Sequence, residues 1–148
     1  MAEKVFFHYA DRKLTIPHKR IIKDCLIRLF KEEGKLLERL DYIFCSDEYL
    51  LQINKEFLQH DYYTDIISFD LSDSKSIKGE IYISVDRVKE NALTHSSSFR
   101  KESVRVIGHG ALHLCGYKDK SQKDIKTMRK KEEAFIISFL SSVPRETN

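Results

Sequence analysis

Apolar and polar positions along the chain fall into blocks whose spacing predicts an alternation of strands and helices. Val5 to Tyr9 is a short apolar and aromatic run that predicts a first strand. In "TIPHKRIIKDCLIRLFKEEG", Ile21, Ile22, Cys25, Leu26, Leu29 and Phe30 recur at helical spacing. Thr15 stands where a cap belongs, Pro17 falls in the first turn and Gly34 marks the end. Leu40 to Cys45 is aromatic and β-branched, predicting a second strand, and Ser46 or Asp47 then caps a helix that runs to about Leu58.

"DIISFDL" and "GEIYISV" are the two clearest strands, and the Ser/Asp/Lys-rich loop of residues 72–78 between them predicts an antiparallel hairpin. Helical spacing returns from Val85 to about Thr94. Ser97 or Ser98 can then cap a helix from Phe99 to about Cys115. A last amphipathic helix covers about Gln122 to Leu140, with Ile125, Met128, Ala134, Phe135 and Phe139 as its apolar positions, and Pro144 closes the ordered part. The order β, α, β, α, β, β, α, α, α predicts an α+β fold, a small mixed four-stranded sheet covered by about five helices. It leaves the strand order open.

Composition narrows the class. With 148 residues, 41% hydrophobic and 33% charged, the chain fits one domain over 1–148 with a single core. The net charge of +3 permits a polyanionic partner without requiring one. Lys118, Lys120, Lys123, Lys126, Arg129, Lys130 and Lys131 crowd one stretch, which reads either as a solvated helix face or as a surface for a phosphate chain. Cys25, Cys45 and Cys115 are odd in number and form no C-x-x-C pair, so they predict reduced, core-packed thiols in a reducing compartment. No run approaches the ~18 apolar residues of a membrane span, and the expectation is a cytoplasmic protein without a membrane partner.

The stretch that carries chemistry is "HGALHLCGYKD", residues 109–119. Two histidines alone can be ordinary residues. Four apart on one helix, however, their Cβ atoms lie about 5–6 Å apart on one face, so His109 and His113 can aim at a common point. A catalytic zinc takes three protein ligands at about 2.0–2.2 Å and keeps a fourth position for water. Gly116 can end the helix in a left-handed conformation and turn the chain back, which brings Asp119 within reach as the third ligand. The metal site would thus sit on a helix of the C-terminal half.

The arrangement is similar to the zinc-protease pattern H-E-x-x-H-x-x-G-x-x-H, with Asp119 in the place of the last histidine. Gly110 occupies the position of the general-base glutamate, so nothing there could take a proton from water, and a peptidase of that mechanism is excluded.

With these residues in view, the sequence resembles the YbeY family of single-domain bacterial endoribonucleases, whose signature reads H-G-x-L-H-L-x-G-Y-D-H. His109, Gly110, Leu112, His113, Leu114, Gly116 and Tyr117 match it. "INKEF" from Ile53, "TDIISF" from Thr64 and "GEIYIS" from Gly79 resemble further family stretches, so the likeness spans roughly residues 40 to 135. The chain departs from the pattern twice. Lys118-Asp119 replaces the terminal Asp-His pair, putting a harder carboxylate ligand where the family has an imidazole. Leu58 stands where the family generally carries an arginine suited to a phosphate.

The resemblance implies a metal-dependent, single-strand-specific endoribonuclease that matures ribosomal RNA and serves ribosome quality control. It implies RNA and not DNA as substrate, rRNA precursors in particular, with the ribosome or its small subunit as partner. His109, His113 and Asp119 would hold one Zn2+ or another divalent transition metal, and such a cation lowers the pKa of its water to ~7. His109 and His113 thereby count as catalytic. Arg105, one turn before His109, is a candidate to hold a phosphate in place of the missing arginine, against an ordinary ion pair.

Other readings stay open: a ribosome-associated RNA-binding module with a structural metal, or a metal-dependent hydrolase of another substrate. Cys115, two residues from His113, points off its face and reads as a core thiol. His8, His18, His60 and His95 have no partner spacing and read as surface or loop residues. Tyr62 and Tyr63 could stack on a base, though loop packing explains them too. Ser68 lacks a G-x-S-x-G turn and is not read as a nucleophile; a supporting role near the metal is its other use.

Overall fold

The computed structural model describes residues 3–73 and 75–144. The elements follow in the order β1 (Val5–Tyr9), α1 (Lys19–Glu32), β2 (Leu36–Cys45), α2 (Asp47–Leu58), β3 (Ile66–Asp70), β4 (Ser76–Ser84), α3 (Val85–Thr94), α4 (Phe99–Leu114) and α5 (Gln122–Ser142). The fold is α+β. Its sheet has the order β1-β2-β4-β3, with β1, β2 and β4 parallel and β3 antiparallel at one edge. The hairpin expected from "DIISFDL" and "GEIYISV" forms, pairing Ile66 with Ile83 and Asp70 with Gly79. Parallel neighbours need crossovers, which α1 supplies between β1 and β2 while α2 and β3 lie between β2 and β4. Among the described residues no helix is long and apolar enough to cross a membrane.

Alternation along the strands decides which face the helices cover. Leu40, Tyr42 and Phe44 of β2 and Ile81 and Ile83 of β4 are buried with Ile22, Leu26 and Phe30 of α1, Ile107, Ala111 and Leu112 of α4, and Phe135 and Phe139 of α5. Each Leu, Ile or Phe among them contributes about 1.5–3 kcal/mol by leaving water. A smaller cluster of Cys45, Leu50, Ile53 and Ile67 fixes α2 to the other side. The three cysteines are free thiols, two buried and Cys115 partly so.

The starts of α1 and β2 and the buried face of α5 differ from the sequence pattern, each for a packing reason. Thr15 does not cap α1: Leu14 and Ile16 are both buried, so the segment runs extended along the core, and α1 begins only after His18 in a left-handed turn. Pro17 therefore precedes the helix. β2 starts at Leu36, not Leu40, because a register shift between Leu37 and Arg39 puts Leu37 and Leu40 on the same buried face and hides the alternation. On α5, Ile125 and Ala134 are exposed, and the buried stripe is Met128, Glu132, Phe135, Ile136 and Phe139.

Helix α4 lies close to its neighbours because glycine allows it. A Cβ on Gly108 would sit 2.6 Å from the Phe135 ring of α5, and one on Gly110 would sit 2.8 Å from Ile81 of β4. Tyr42, fully buried, donates its hydroxyl to the Ile107 carbonyl at 2.6 Å and fixes α4 along its axis. At the C-terminus, Gly116 adopts φ 105°, with Tyr117 N donating to Leu112 O and Gly116 N to His113 O, the paired bonds of a Schellman turn. The turn is tied down by Glu33 after α1, whose carboxylate accepts from the Tyr117 hydroxyl at 2.7 Å and from Lys131 Nζ at 2.9 Å.

Two outcomes are expected. Gly108→Ala, which would ordinarily strengthen a helix by about 1 kcal/mol, should instead destabilise the protein by ~1–2 kcal/mol in urea unfolding, because the Phe135 ring cannot yield without repacking. Burial pushes the Glu33 carboxyl up, but its bonds from Tyr117 and Lys131 outweigh that and hold it below its ordinary value of 4.5. Its contribution is thus complete above that value and lost as pH falls through the lower, folded one. The urea midpoint of Glu33→Gln should therefore fall less than that of the native chain between about pH 5 and 3.

Candidate metal centre

Helix α4 carries His109 and His113 one turn apart, and its two close-packed faces leave both imidazoles at the mouth of a cleft. The rings meet edge to face at 87°, with centroids 4.5 Å apart and the two Nε2 atoms 2.9 Å apart. The Schellman turn reverses the chain after Gly116, and Asp119 Oδ2 comes to 3.4 Å from each Nε2. The three residues singled out by spacing converge, their ligand atoms all within 4.8 Å of one another.

The hydrogen bonds around the rings say which nitrogens are free. His113 Nδ1 donates to the Tyr117 carbonyl at 2.9 Å, and His109 Nδ1 faces the Glu132 carboxylate at 2.5 Å. With both Nδ1 positions holding protons, a neutral pair turns two Nε2 lone pairs towards each other beside a carboxylate oxygen. Three acceptors facing one point without a donor repel, and a cation between them removes the repulsion. Tetrahedral zinc with bonds of about 2.0–2.1 Å would space its ligands ~3.3 Å apart; the edges here are 2.9, 3.4 and 3.4 Å. The donor set suits zinc and other divalent transition metals.

Behind His109 lies a buried ionic cluster. Glu132 is 4% exposed, on the core stripe of α5, and Glu102 of α4 is 2% exposed. Arg105 donates Nε and an amino group to Glu102 at 2.9 and 2.7 Å, and its other amino group to Glu132 at 3.2 Å. Burial pushes the Glu132 carboxyl up, but the bond to His109 and the charge of Arg105 outweigh it, so it lies below the ordinary carboxylate value. The Arg105 guanidinium is raised, first by its bond to Glu102. Arg105, the candidate phosphate holder, is not among the residues that line the cleft, and three of its N–H groups bond two buried carboxylates. Sequence reasoning missed Glu132 and Glu102. The signal was there for Glu132, a carboxylate four residues after Met128 and three before Phe135, squarely on an apolar stripe.

The cleft, about 450 Å³, runs from the histidines and Asp119 past Ile66, Ser68 and Asp70 of β3 to Leu58 at the end of α2 and His60 and Tyr62 beyond it. No lysine or arginine lines it among the described residues, and Asp65, Asp70 and Asp119 do. Leu58, at the family's arginine position, lines it as an apolar wall. His60 belongs to the cleft rim rather than to an unrelated surface, and Ser68 Oγ is buried there without a hydrogen-bond partner. Tyr63 is turned away, donating to Glu48 at 2.6 Å. The Cys115 thiol packs against the core and is pushed up to about 12 by burial, as a structural thiol would be. Lys123, Lys126, Arg129 and Lys130 border a separate, shallow groove on α5.

Comparison with known proteins agrees with this geometry. The family model described as "Endoribonuclease YbeY" matches residues 7–139. Curated relatives named Endoribonuclease YbeY include one from Cytophaga hutchinsonii, 50% identical over 90% of this chain and 94% of the relative. Another, from Flavobacterium johnsoniae, is 44% identical over 90% and 95%, and one from Porphyromonas gingivalis is 40% identical over 97% and 95%. A Thermotoga maritima protein solved in solution superposes with a TM-score of 0.62 at 27% identity, covering 91% of this chain and 89% of that one. Since the match extends from β1 into α5 and so spans every element that builds the cleft, the chain belongs to the YbeY endoribonuclease family.

Proposed function

We propose that this protein is a metal-dependent endoribonuclease that hydrolyses single-stranded RNA. Its substrates are precursors of ribosomal RNA, its partner the ribosome or small subunit, and its place the cytoplasm, and one domain covers 1–148. The observation that carries the reading is the meeting of two Nε2 acceptors and the Asp119 carboxylate in an open cleft. His109, His113 and Asp119 hold the cation, with zinc as the favoured ion. Family membership supplies the substrate class, RNA.

In the reaction, a water oxygen forms a bond to phosphorus, the ester P–O bond opposite breaks, and the leaving oxygen gains a proton. A divalent cation at the site supplies Lewis acidity towards a phosphoryl oxygen and acidifies its water. The chain's own residues prepare that site. Glu132 accepts from His109 Nδ1 and the Tyr117 carbonyl accepts from His113 Nδ1, so each ring presents Nε2 in a fixed direction. Arg105 acts through Glu132: it keeps that carboxylate charged and in place, and it is a positioning residue rather than a phosphate clamp. The Lys-rich face of α5 lies outside the cleft and offers the flanking strand a salt-dependent attraction.

A structural metal in a binding module is the weaker reading, because structural zinc closes its shell with four protein ligands, and three converge here among the described residues.

Elemental analysis should find about one divalent ion per chain. His109→Ala should lose both the ion and cleavage of single-stranded RNA while unfolding at nearly the native urea concentration; full cleavage by metal-free protein would refute the reading. Glu132→Gln keeps an acceptor for His109 but loses the charge. Its metal affinity, measured by competition with a chromophoric chelator, should fall about 10- to 100-fold, and RNA affinity of the metal-saturated variant should stay near native.

A further inference from the structure

The cleft poses a problem of attraction. Its lining holds three aspartates and, among the described residues, no lysine or arginine, so a phosphate chain gains little from the walls themselves. Another part of the same lining offers something else. His60 and Tyr62 stack on each other with ring centroids 5.1 Å apart and planes 20° apart, and the Tyr62 hydroxyl lies 3.0 Å from His60 Nδ1. Tyr62 is 57% exposed. A large aromatic surface left open to water at the lip of a catalytic cleft does nothing for the core.

The segment that carries the pair is held firmly. Gln59 ends α2 in a left-handed conformation, His60 N donates to the Asn54 carbonyl at 3.1 Å, and buried Asn54 returns Nδ2 to the Tyr62 carbonyl at 2.8 Å. Tyr63, next in the chain, is pinned by Glu48 with the Arg87 guanidinium 5.7 Å from its ring centre. The two rings are therefore placed before any ligand arrives, and binding to them forfeits little side-chain freedom.

We infer that His60 and Tyr62 form a stacking platform for one unpaired base of the RNA next to the scissile phosphate. The inference rests on the nuclease reading and deepens it. Stacking is indifferent to the sign of the surrounding charge and available to every base, so it suits a cleft walled by carboxylates and a substrate chosen for being single-stranded. A base held in a duplex keeps its own stacking neighbours and cannot present a face to Tyr62. The platform thus selects unpaired strands without reading their sequence.

The test is a stopped-flow titration of metal-loaded protein with short single-stranded RNAs carrying 2-aminopurine at successive positions, read before any strand is cut. One position should be quenched. Tyr62→Leu should abolish that quench and weaken binding by roughly 5- to 150-fold, the range that ~1–3 kcal/mol of base stacking implies, with metal content unchanged. Tyr62→Phe should keep it, and His60→Ala should reduce it. An abasic site at the quenched position should weaken binding to the native protein by the same factor and to Tyr62→Leu no further. A quench that survives Tyr62→Leu, an abasic penalty equal in both proteins, or no binding of the oligonucleotide overturns the platform. Quenched RNA that is bound but never cut overturns the nuclease reading and leaves the platform standing; cutting with no quench at any position does the reverse.

Discussion

The site depends on where two protons sit. His109 and His113 each have their Nδ1 engaged by an oxygen of the protein, Glu132 in one case and the Tyr117 carbonyl in the other. That leaves Nε2 of both rings as acceptors 2.9 Å apart, an arrangement that a neutral protein does not favour for its own sake. The surrounding fold holds it anyway. Gly108 and Gly110 let α4 approach α5 and β4 to contact distance, Tyr42 fixes its axial position, and Glu33 ties the exit turn to α1 and α5.

Burying Glu132 and Glu102 around one guanidinium is expensive, because each charge gives up its hydration. An apolar cluster of equal volume would stabilise the core as well or better. What the ions contribute is direction: Arg105 orients Glu132, Glu132 orients His109, and the chain of contacts ends at the cleft. The cluster is better explained by the site it aims than by the stability it lends.

Much of this was legible in the sequence. The i, i+4 histidines, the glycine three residues on and Asp119 beyond it predicted the convergence because helix geometry and the left-handed exit turn are local properties. The β3–β4 hairpin was legible for the same reason. The start of α1 was hidden because Leu14 and Ile16 answer to the core rather than to their neighbours, and the start of β2 because a bulge breaks its alternation. Arg105 stood as a phosphate candidate because one of its partners, Glu132, lies 27 residues away on another helix, although the other, Glu102, is a local i, i+3 neighbour on α4. His60 was passed over since nothing in its spacing hints that the segment after α2 lines the same cleft as the histidines of α4.

The three candidate ligand side chains are anchored unequally. Both imidazoles ride on a rigid, deeply packed helix, whereas Asp119 is 44% exposed on a short non-helical stretch between Gly116 and the cap of α5 at Ser121. The carboxylate is therefore the one corner of this triangle that the packed core does not fix, and a cation held there would meet solvent on the side of Asp119 rather than through α4.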